Sequence, residues 1–254
     1  MECHAERSTE HPFAFSWRLG AGESFDTPEI LLSWSDEGLN GLSRQLHPFV
    51  RSHILSGTLA QRTRPTLLNT WEACYFNVSE EKLLRIGEIA GKCGIELLVL
   101  DDGWFGRRNA ADSSLGDWTV NPDKFPGLLD ALSDALGEKG MRLGIWVEPE
   151  MISPDSELYR SHPDWCLHVE SRVRTQWRNQ LVLDMGREDV RTYLKRCMDG
   201  ILGSGKIRYV KWDHNRWLTQ AASMLLGSER QGEIFHRYIM GTYDADHPRF
   251  FCAG

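Results

Sequence analysis

The sequence has no long apolar run and no block of basic residues. Its 254 residues include 29 basic and 36 acidic side chains, which gives a formal charge of −7. This acidic balance argues against nucleic acid and anionic membranes as partners. No stretch approaches the roughly 18 consecutive apolar residues of a membrane-spanning helix, and Met1–Glu6 lacks the basic and apolar regions of a secretory signal. We therefore expect a cytoplasmic protein.

Motifs for metals, redox chemistry and nucleotides are also missing. The six cysteines form no Cys-x-x-Cys pair and the nine histidines no His-x-x-x-His pair, so we expect reduced cysteines within the core. Residues 200–206 approach a phosphate-binding loop, but Ile207 stands where that motif has Ser or Thr. The segment also follows a predicted helix, so it is better interpreted as a turn. Neither a metal nor a cofactor is expected.

From residue 67 onward, short apolar runs alternate with amphipathic stretches, a pattern that predicts a parallel sheet with helical crossovers. Because no Gly-rich turn follows the first strand, this α/β pattern favours a (β/α) barrel over an open doubly wound sheet. The predicted strands are Leu67–Phe76, Leu97–Leu100, Leu143–Val147, Leu181–Leu183, Tyr209–Trp212 and Arg249–Cys252. The predicted helices are Ser79–Cys93, Phe125–Lys139, Asp189–Leu202 and Gln231–Tyr243.

Residues 1–64 have a different pattern. Phe13–Trp17 alternates like a strand, Thr27–Leu32 runs into a second apolar stretch, and Asp36–Ile54 has the apolar spacing of a helix. Two strands alone do not form a stable sheet. We therefore interpret residues 1–64 as the tail of something larger, and residues 65–254 as a separate domain.

Carboxylates and tryptophans recur where the predicted strands end, which is where a parallel barrel builds its active site. Aromatic rings cover the apolar faces of sugars, and carboxylates accept hydrogen bonds from sugar hydroxyls, so the pattern predicts a sugar site. Asp101 and Asp102 can both reach a ligand with two hydroxyls, or one of them caps the loop. The residues at these strand ends are Trp71, Asp101, Asp102, Trp104, Trp146, Glu148, Glu150, Asp184, Trp212 and Asp213.

Lys211 and Asp213 lie two residues apart, so their side chains leave the strand on the same face. A neighbouring ammonium keeps a carboxylate ionised, as the nucleophile of a glycosidase requires. A plain salt bridge between the two is the alternative. A further alternative is an Mg²⁺ site formed by Glu148, Asp184 and Asp213, which would leave the surrounding tryptophans unexplained.

Six segments at these positions resemble glycoside hydrolase family 36, the bacterial-type α-galactosidases, and the resemblance runs in order from about residue 13 to residue 243. The segments are Asn69-Thr70-Trp71-Glu72-Ala73, Leu100-Asp101-Asp102-Gly103-Trp104-Phe105-Gly106, Gly116-Asp117-Trp118-Thr119-Val120-Asn121, Trp146-Val147-Glu148-Pro149-Glu150-Met151, Arg178-Asn179-Gln180-Leu181-Val182-Leu183-Asp184 and Lys211-Trp212-Asp213-His214-Asn215-Arg216.

The resemblance implies a (β/α)8 barrel that hydrolyses terminal α-linked galactose, as in melibiose and raffinose, with retention of configuration and without a metal. It implies that Asp213 is the nucleophile that forms a covalent galactosyl intermediate. It also implies that residues 65–254 are a TIM-type (β/α)8 catalytic barrel, incomplete at about six strands, and that residues 1–64 are the tail of an N-terminal β-sandwich domain with a linker helix. For the full-length family it implies a homo-oligomer. The residues that it implies at the substrate are Trp71, Asp101, Asp102, Trp146, Arg178, Lys211, Trp212, His214, Asn215 and Cys252.

The sequence departs from the family pattern in places. His214 stands where the family usually has Met, and Trp177 where it usually has Gly. The chain ends at Gly254, inside the glycine-rich loop that Cys252 opens, and the family's acid/base Asp has no counterpart, so we expect a truncated enzyme with weak or absent turnover. Two alternatives remain open, a galactose-binding fragment without catalysis and a galactosyl transferase of the raffinose-synthase type.

Overall fold

The structure is a computed structural model that describes residues 15–55 and 62–245. The strands within these residues are β1 (Leu67–Asn69), β2 (Leu97–Leu100), β3 (Arg142–Val147), β4 (Met151–Ile152), β5 (Leu181–Val182) and β6 (Ile207–Trp212). β1, β2, β3 and β6 form a parallel sheet in that order, while β4 and β5 form a separate antiparallel pair.

Helices connect the parallel strands, as predicted. Helix α3 joins β1 to β2, α4 joins β2 to β3, and α6 precedes β6, so the chain has the α/β fold of an incomplete (β/α) barrel. No helix among the described residues has both the length and the apolarity to cross a membrane. The helices are α1 (Gly38–Phe49), α2 (Trp71–Cys74), α3 (Glu80–Lys92), α4 (Leu128–Gly137), α5 (Glu157–Ser161), α6 (Glu188–Leu202) and α7 (Ile234–Ala245).

Local signals explain where helix α3 begins and ends. The Ser79 hydroxyl accepts a hydrogen bond from the main-chain N–H of Lys82, which satisfies one of the free donors of the first turn. Glu80 and Glu81 place negative charge at the same end. Gly94 follows the helix with φ +81°, a conformation that glycine adopts without strain. The predicted helix Ser79–Cys93 is confirmed.

Leucines fill the space between this sheet and its helices. Leu132 and Leu136 of α4 are fully buried, as are Leu98 of β2 and Leu143 of β3. Each side chain of this kind contributes about 1.5–3 kcal/mol when it is removed from water. The core therefore fixes the layer of strands whose carboxyl ends carry the candidate site.

The prediction of a strand over Leu67–Phe76 is wrong beyond Asn69. The Asn69 side chain accepts a hydrogen bond from the main-chain N–H of Trp71, and the Thr70 carbonyl accepts one from Cys74. This side-chain turn ends the strand and starts helix α2. As a result, Trp71 lies on a short helix beside the end of β1 rather than within the strand.

The prediction that Leu181–Leu183 is a fourth strand of the parallel sheet is also wrong. Residues 181 and 182 pair antiparallel with β4, and Leu183 forms an antiparallel bridge with Cys166. The main-chain N–H of Leu183 donates a hydrogen bond to the main-chain carbonyl of Glu150, and the N–H of Leu167 donates one to the carbonyl of Val182. These neighbours take the hydrogen bonds that a parallel partner would need, so β6 pairs directly with β3.

The other N- and C-terminal predictions have mixed outcomes. Residues 15–35 form no strand, although Phe13 and Ala14 of the first predicted strand lie outside the described residues. The predicted helix over Asp36–Ile54 is confirmed as α1 followed by a π-helical turn over Val50–Ile54. Arg249–Cys252 lies outside the described residues. The division between residues 64 and 65 stays a prediction.

Gly241 lies where α7 touches the chain at Met185. Replacing Gly241 by Ala is expected to lower the free energy of unfolding by about 1–3 kcal/mol, because the added methyl group would overlap the Met185 carbonyl. Gly137, at the end of α4, has open space at the same position, so Gly137→Ala is the matched control and should change stability by less than about 1 kcal/mol. Urea unfolding measures both variants, and equal midpoint shifts would contradict the close contact.

Candidate active site

The carboxyl ends of the parallel strands surround one cavity of about 360 Å³. Asp101 follows β2, Glu148 follows β3, Asp213 follows β6, and Trp71 begins the helix after β1. The main-chain N–H of Asp213 donates to the carbonyl of Val147, which continues the β3–β6 ladder to the edge of the cavity. The sheet register therefore brings together carboxylates that are far apart in the sequence.

Most of the predicted site residues line this cavity, and their roles in binding stay predictions. Those at the cavity are Trp71, Asp101, Asp102, Trp146, Arg178, Lys211, Asp213 and Asn215. Glu148, which the sequence pattern also placed at a strand end, lines the cavity as well. The cavity has further lining residues that the sequence analysis did not assign to the site, which are Phe76, Arg108, Ala111 and Gln180.

Asp101 is a buried carboxylate that three donors hold in place. Its Oδ2 accepts hydrogen bonds from Lys211 Nζ at 2.8 Å and from Asn69 Nδ2 at 2.5 Å. Its Oδ1 accepts one from the main-chain N–H of Asp102 at 2.9 Å. The structure thus pairs Lys211 with Asp101 rather than with Asp213, and the salt bridge that the spacing of Lys211 and Asp213 suggested is not the one formed.

Arg108 holds Asp102 in place, and the sequence analysis did not predict Arg108 as a site residue. Its Nε lies 3.0 Å from Asp102 Oδ1 and its Nη2 2.9 Å from Oδ2, a bidentate pair in which both side chains are buried. Burial raises the pKa of Asp102, while the hydrogen bonds and charge of Arg108 oppose that rise. The only sequence signal is the pair Arg107-Arg108, which does not reveal that the second arginine is buried.

Asp213 has one oxygen that is firmly held and one that is lightly held. Its Oδ2 accepts hydrogen bonds from Trp146 Nε1 at 2.9 Å and from Asn215 Nδ2 at 2.8 Å, whereas Oδ1 accepts one from the main-chain N–H of His214 at 3.1 Å. Burial raises the pKa of Asp213, but these hydrogen bonds and the charge of Lys211 outweigh it, so the pKa lies below its ordinary value. Asp213 is therefore a carboxylate at neutral pH.

Glu148 is a second carboxyl group at this cavity and is almost fully buried. Its Oε1 accepts a hydrogen bond from the main-chain N–H of Asn215 at 2.6 Å, and its Oε2 accepts one from Gln180 Nε2 at 3.0 Å. Burial, together with the negative charge of Asp213, raises the pKa of Glu148 to about 7. Glu148 thus links the loops that carry Gln180 and Asn215, and it holds a proton more readily than Asp213 does.

A two-residue turn presents Arg178 to the cavity. The main-chain N–H of Gln180 donates to the carbonyl of Trp177 at 3.0 Å, and Arg178 and Asn179 have φ of +52° and +57°. These values are typical of a type I′ turn, which usually contains Gly or Asn. Because Arg178 adopts this costly conformation, the surrounding contacts must hold it there. One of them is its hydrogen bond from Nη1 to Asn215 Oδ1, at 2.8 Å.

Two predicted site residues turn away from the cavity toward Glu150. Trp212 Nε1 donates to Glu150 Oε1 at 2.8 Å, and His214 Nδ1 lies 3.4 Å from Glu150 Oε2. Burial raises the pKa of Glu150, but hydrogen bonds from neighbouring side chains, including these two, lower it below its ordinary value. Both residues flank Asp213 in the sequence without lining the cavity. Cys252 lies outside the described residues.

The three carboxylates of the magnesium interpretation do not come together. Asp184 Oδ2 accepts a hydrogen bond from Ser223 Oγ at 2.5 Å, and its Oδ1 accepts one from the main-chain N–H of Gly186. Both oxygens of Glu148 are engaged by Asn215 and Gln180. Residues 15–55 and 62–245 contain no group of three or more His, Cys, Asp or Glu side chains arranged to hold a metal ion.

Replacing His214 by Gln is expected to destabilise the protein at acidic pH but not at alkaline pH. The hydrogen bond and charge of Glu150 raise the pKa of His214 above 6.5. A raised pKa in the folded state means that the stabilisation is fully present below the unfolded value and is lost as the pH rises through the folded value. Since the side chain is partly exposed, the loss should not exceed about 1 kcal/mol. Urea unfolding at about pH 5.5 and pH 8.5 tests this, and a loss that grows toward alkaline pH would contradict it.

A family profile described as Melibiase matches residues 24–247, which is most of the chain. The chain belongs to the melibiase family. Alpha-galactosidase AgaA of Geobacillus stearothermophilus is 52% identical over 233 residues. Alpha-galactosidase Mel36A of Lactobacillus acidophilus is 46% identical over 232 residues. These alignments cover 92% and 91% of this chain but 32% of each relative, so the chain spans about a third of the length of these melibiases.

Solved structures of the melibiase family match the fold as well. The crystal structure of GH36 alpha-galactosidase AgaA from Geobacillus stearothermophilus superposes with a TM-score of 0.89 and 52% identity, over 92% of this chain and 33% of that one. A double variant of the same enzyme in complex with raffinose gives a TM-score of 0.89 and 51% identity, with the same coverage. The resemblance to glycoside hydrolase family 36 that the motifs indicated is thereby confirmed, as is the barrel-type α/β class.

Proposed function

We propose that this chain carries the galactose-binding subsite and the nucleophile of a retaining α-galactosidase that hydrolyses terminal α-linked galactose. The observation that supports this most is Asp213, an ionised carboxylate in a cavity lined by carboxylates and tryptophans. Relatives named as α-galactosidases align over more than nine-tenths of the chain. Because the complex of one relative contains raffinose, we extend the proposed substrates to galactose-terminated oligosaccharides.

The cavity offers the hydrogen-bonding groups that a hexose needs. Asp101 and Asp102 accept hydrogen bonds from sugar hydroxyls, while Lys211 and Arg178 donate to sugar oxygens. The indole of Trp146 borders the same space and packs on Trp118 and Phe105 behind it. Since Arg108 and Lys211 already hold the two aspartates, little reorganisation is required when the sugar binds.

The two oxygens of Asp213 have different tasks in the proposed reaction. Oδ2 is fixed by Trp146 and Asn215, so Oδ1 attacks the anomeric carbon. A bond forms between Oδ1 and that carbon, while the glycosidic bond breaks and its electron pair leaves with the aglycone oxygen, which takes up a proton from solvent. Water then attacks the same carbon from the other face. The bond to Oδ1 breaks, the carboxylate returns, and the water proton passes to a base or to solvent.

Calorimetry and covalent labelling test this function on the 254-residue chain. Galactose should bind, and Asp102→Ala should weaken that binding by at least about tenfold, because a charge-assisted hydrogen bond contributes 1.5–3 kcal/mol. A galactoside with an activated aryl leaving group needs little protonation, so mass spectrometry should detect a galactosyl group on Asp213. Binding without labelling would favour a galactose-binding fragment. Transfer to sucrose that outruns hydrolysis would favour the transferase alternative.

The cellular location and the assembly state are also proposals. The four cysteines among the described residues, Cys74, Cys93, Cys166 and Cys197, are free, which suits a reducing compartment such as the cytoplasm. Fractionation of cells that express the chain tests the location. The homo-oligomer implied by the family stays a prediction, and light scattering of the purified chain checks it.

A further inference from the structure

Two highly exposed tryptophans lie within two residues of cavity residues in the sequence. Trp177 is 60% exposed and directly precedes Arg178, and Trp217 is 79% exposed and follows Asn215 by two residues. By contrast, Trp104 and Trp146 are almost fully buried. A single exposed aromatic side chain needs no explanation. Two exposed tryptophans on loops that supply cavity residues call for a ligand with an apolar face.

The loops that carry these tryptophans are tied to each other. Arg216, which is buried, donates hydrogen bonds to the carbonyls of Gln180 and Thr175. Gln220 Nε2 donates to Thr175 Oγ1 at 2.6 Å and to the carbonyl of Val173 at 2.8 Å. Together with the turn over residues 177–180, these bonds tie the loop before β5 to the loop after β6. Aromatic side chains on loops held in this way are preorganised, because binding does not have to order the backbone.

The size of the cavity limits how much of a longer substrate it can hold. A volume of about 360 Å³ is at the low end for ligand pockets, which suits one hexose ring. The glycosidic oxygen of a longer substrate must leave through the opening, so the next sugar meets the residues around it. Sugar rings expose C–H groups on one face, and tryptophan is the largest aromatic surface that a protein offers to such a face.

We propose that Trp177 and Trp217 form a second sugar-binding subsite, which takes the sugar on the leaving-group side of an α-galactoside. This inference rests on the proposed function, because it places galactose in the cavity. The subsite recognises the C–H face of a hexose ring rather than a charged or strictly apolar group. Its contribution is therefore present for an oligosaccharide with a sugar at this position and is zero for galactose itself.

The test compares galactose with raffinose by calorimetry, using the wild-type chain and single variants. Trp177→Ala and Trp217→Ala should each weaken raffinose binding by about 3- to 10-fold, since an aromatic stacking contact contributes 0.5–1.5 kcal/mol. Galactose binding should stay within about twofold, and Trp177→Phe should restore most of the loss. The matched control is Trp34→Ala, which removes an equally exposed tryptophan far along the chain from both loops and outside the cavity lining.

Different results separate this inference from the proposed function. If galactose does not bind to the wild-type chain, both the proposed function and the second subsite are overturned. If galactose binds but raffinose binds no more tightly than galactose, only the second subsite is overturned. The same holds if Trp34→Ala weakens raffinose binding as much as Trp177→Ala and Trp217→Ala do. Equal weakening of galactose and raffinose in Trp177→Ala and Trp177→Phe would show that Trp177 acts through Arg178, which also overturns the subsite. If light scattering shows that the wild-type chain is a dimer and that Trp177→Ala and Trp217→Ala are monomers, the two tryptophans form a contact between copies of the chain instead.

Discussion

Asp213→Asn is expected to reduce the rate of galactosyl-enzyme formation by about 10⁴-fold or more, the scale seen when a residue of a catalytic nucleophile system is removed. An amide oxygen is a far weaker nucleophile than the carboxylate that Trp146, Asn215 and Lys211 keep ionised. Release of nitrophenol from nitrophenyl α-galactoside measures the rate. Mass spectrometry of the quenched protein measures the covalent intermediate.

The control for this substitution has to separate chemistry from binding. Asn at position 213 keeps the size of the side chain and an oxygen that can still accept from Trp146 Nε1. We therefore expect galactose affinity to change by less than about tenfold. Asp123→Asn, at an exposed carboxylate outside the cavity lining, should leave both rate and affinity unchanged. Undiminished labelling of Asp213→Asn would place the nucleophile elsewhere.

Arg108→Met is expected to lower the free energy of unfolding by about 3–5 kcal/mol at neutral pH, the usual result of removing one partner of a buried ion pair. Met keeps the bulk of the side chain but leaves the buried carboxylate of Asp102 without its bidentate partner. The same variant should also bind galactose more weakly, because Asp102 is no longer fixed. Urea unfolding and calorimetry measure the two effects.

The pH dependence of this loss distinguishes a charge effect from a packing effect. Without Arg108, burial should raise the pKa of Asp102 further, so the group prefers its neutral form in the folded state. The stability loss should then shrink as the pH falls toward the unfolded pKa of about 4. Arg107→Met is the matched control, since Arg107 is exposed and its nearest carboxylates lie 3.9–4.0 Å away, and it should change stability by less than about 1 kcal/mol. The Arg108 guanidinium also lies over the Phe76 ring, 5.4 Å from its centroid, so a pH-independent loss would mean that this packing dominates.

The parts of this structure that sequence predicts well are those set by neighbouring residues. Helix α3 has its N-cap at Ser79 and its stop at Gly94 within the same short segment, and β2 is a continuous run of four apolar residues. The positions of Asp101 and Asp213 also follow from local pattern, because each comes directly after a predicted strand, which is continuously apolar before Asp101 and mixed before Asp213. Parallel packing then places them together without further information.

The parts that sequence does not predict depend on contacts between distant segments. The Trp212 indole donates a hydrogen bond to Glu150, which is 62 residues away in the sequence. Asp184 accepts a hydrogen bond from Ser223, which is 39 residues away, and does not line the cavity. Strand β5 is too short for its own pattern to reveal whether it pairs parallel or antiparallel. Arg108 is close to Asp102 in the chain, but its burial depends on how its loop folds over the cavity. Each of these outcomes is a competition for hydrogen-bond partners that no single segment decides.

The turn over residues 177–180 carries two adjacent side chains to which we assign different roles, Trp177 at the leaving group and Arg178 at galactose. Its conformation is set by main-chain hydrogen bonds and by Arg216, none of which involves the side chain at position 177. That side chain can therefore change through evolution or engineering while Arg178 stays at the cavity. If the proposed galactose subsite and second subsite are correct, exchanges at position 177 should change the preference for leaving groups and leave galactose binding intact, so that the two preferences can be selected independently of each other.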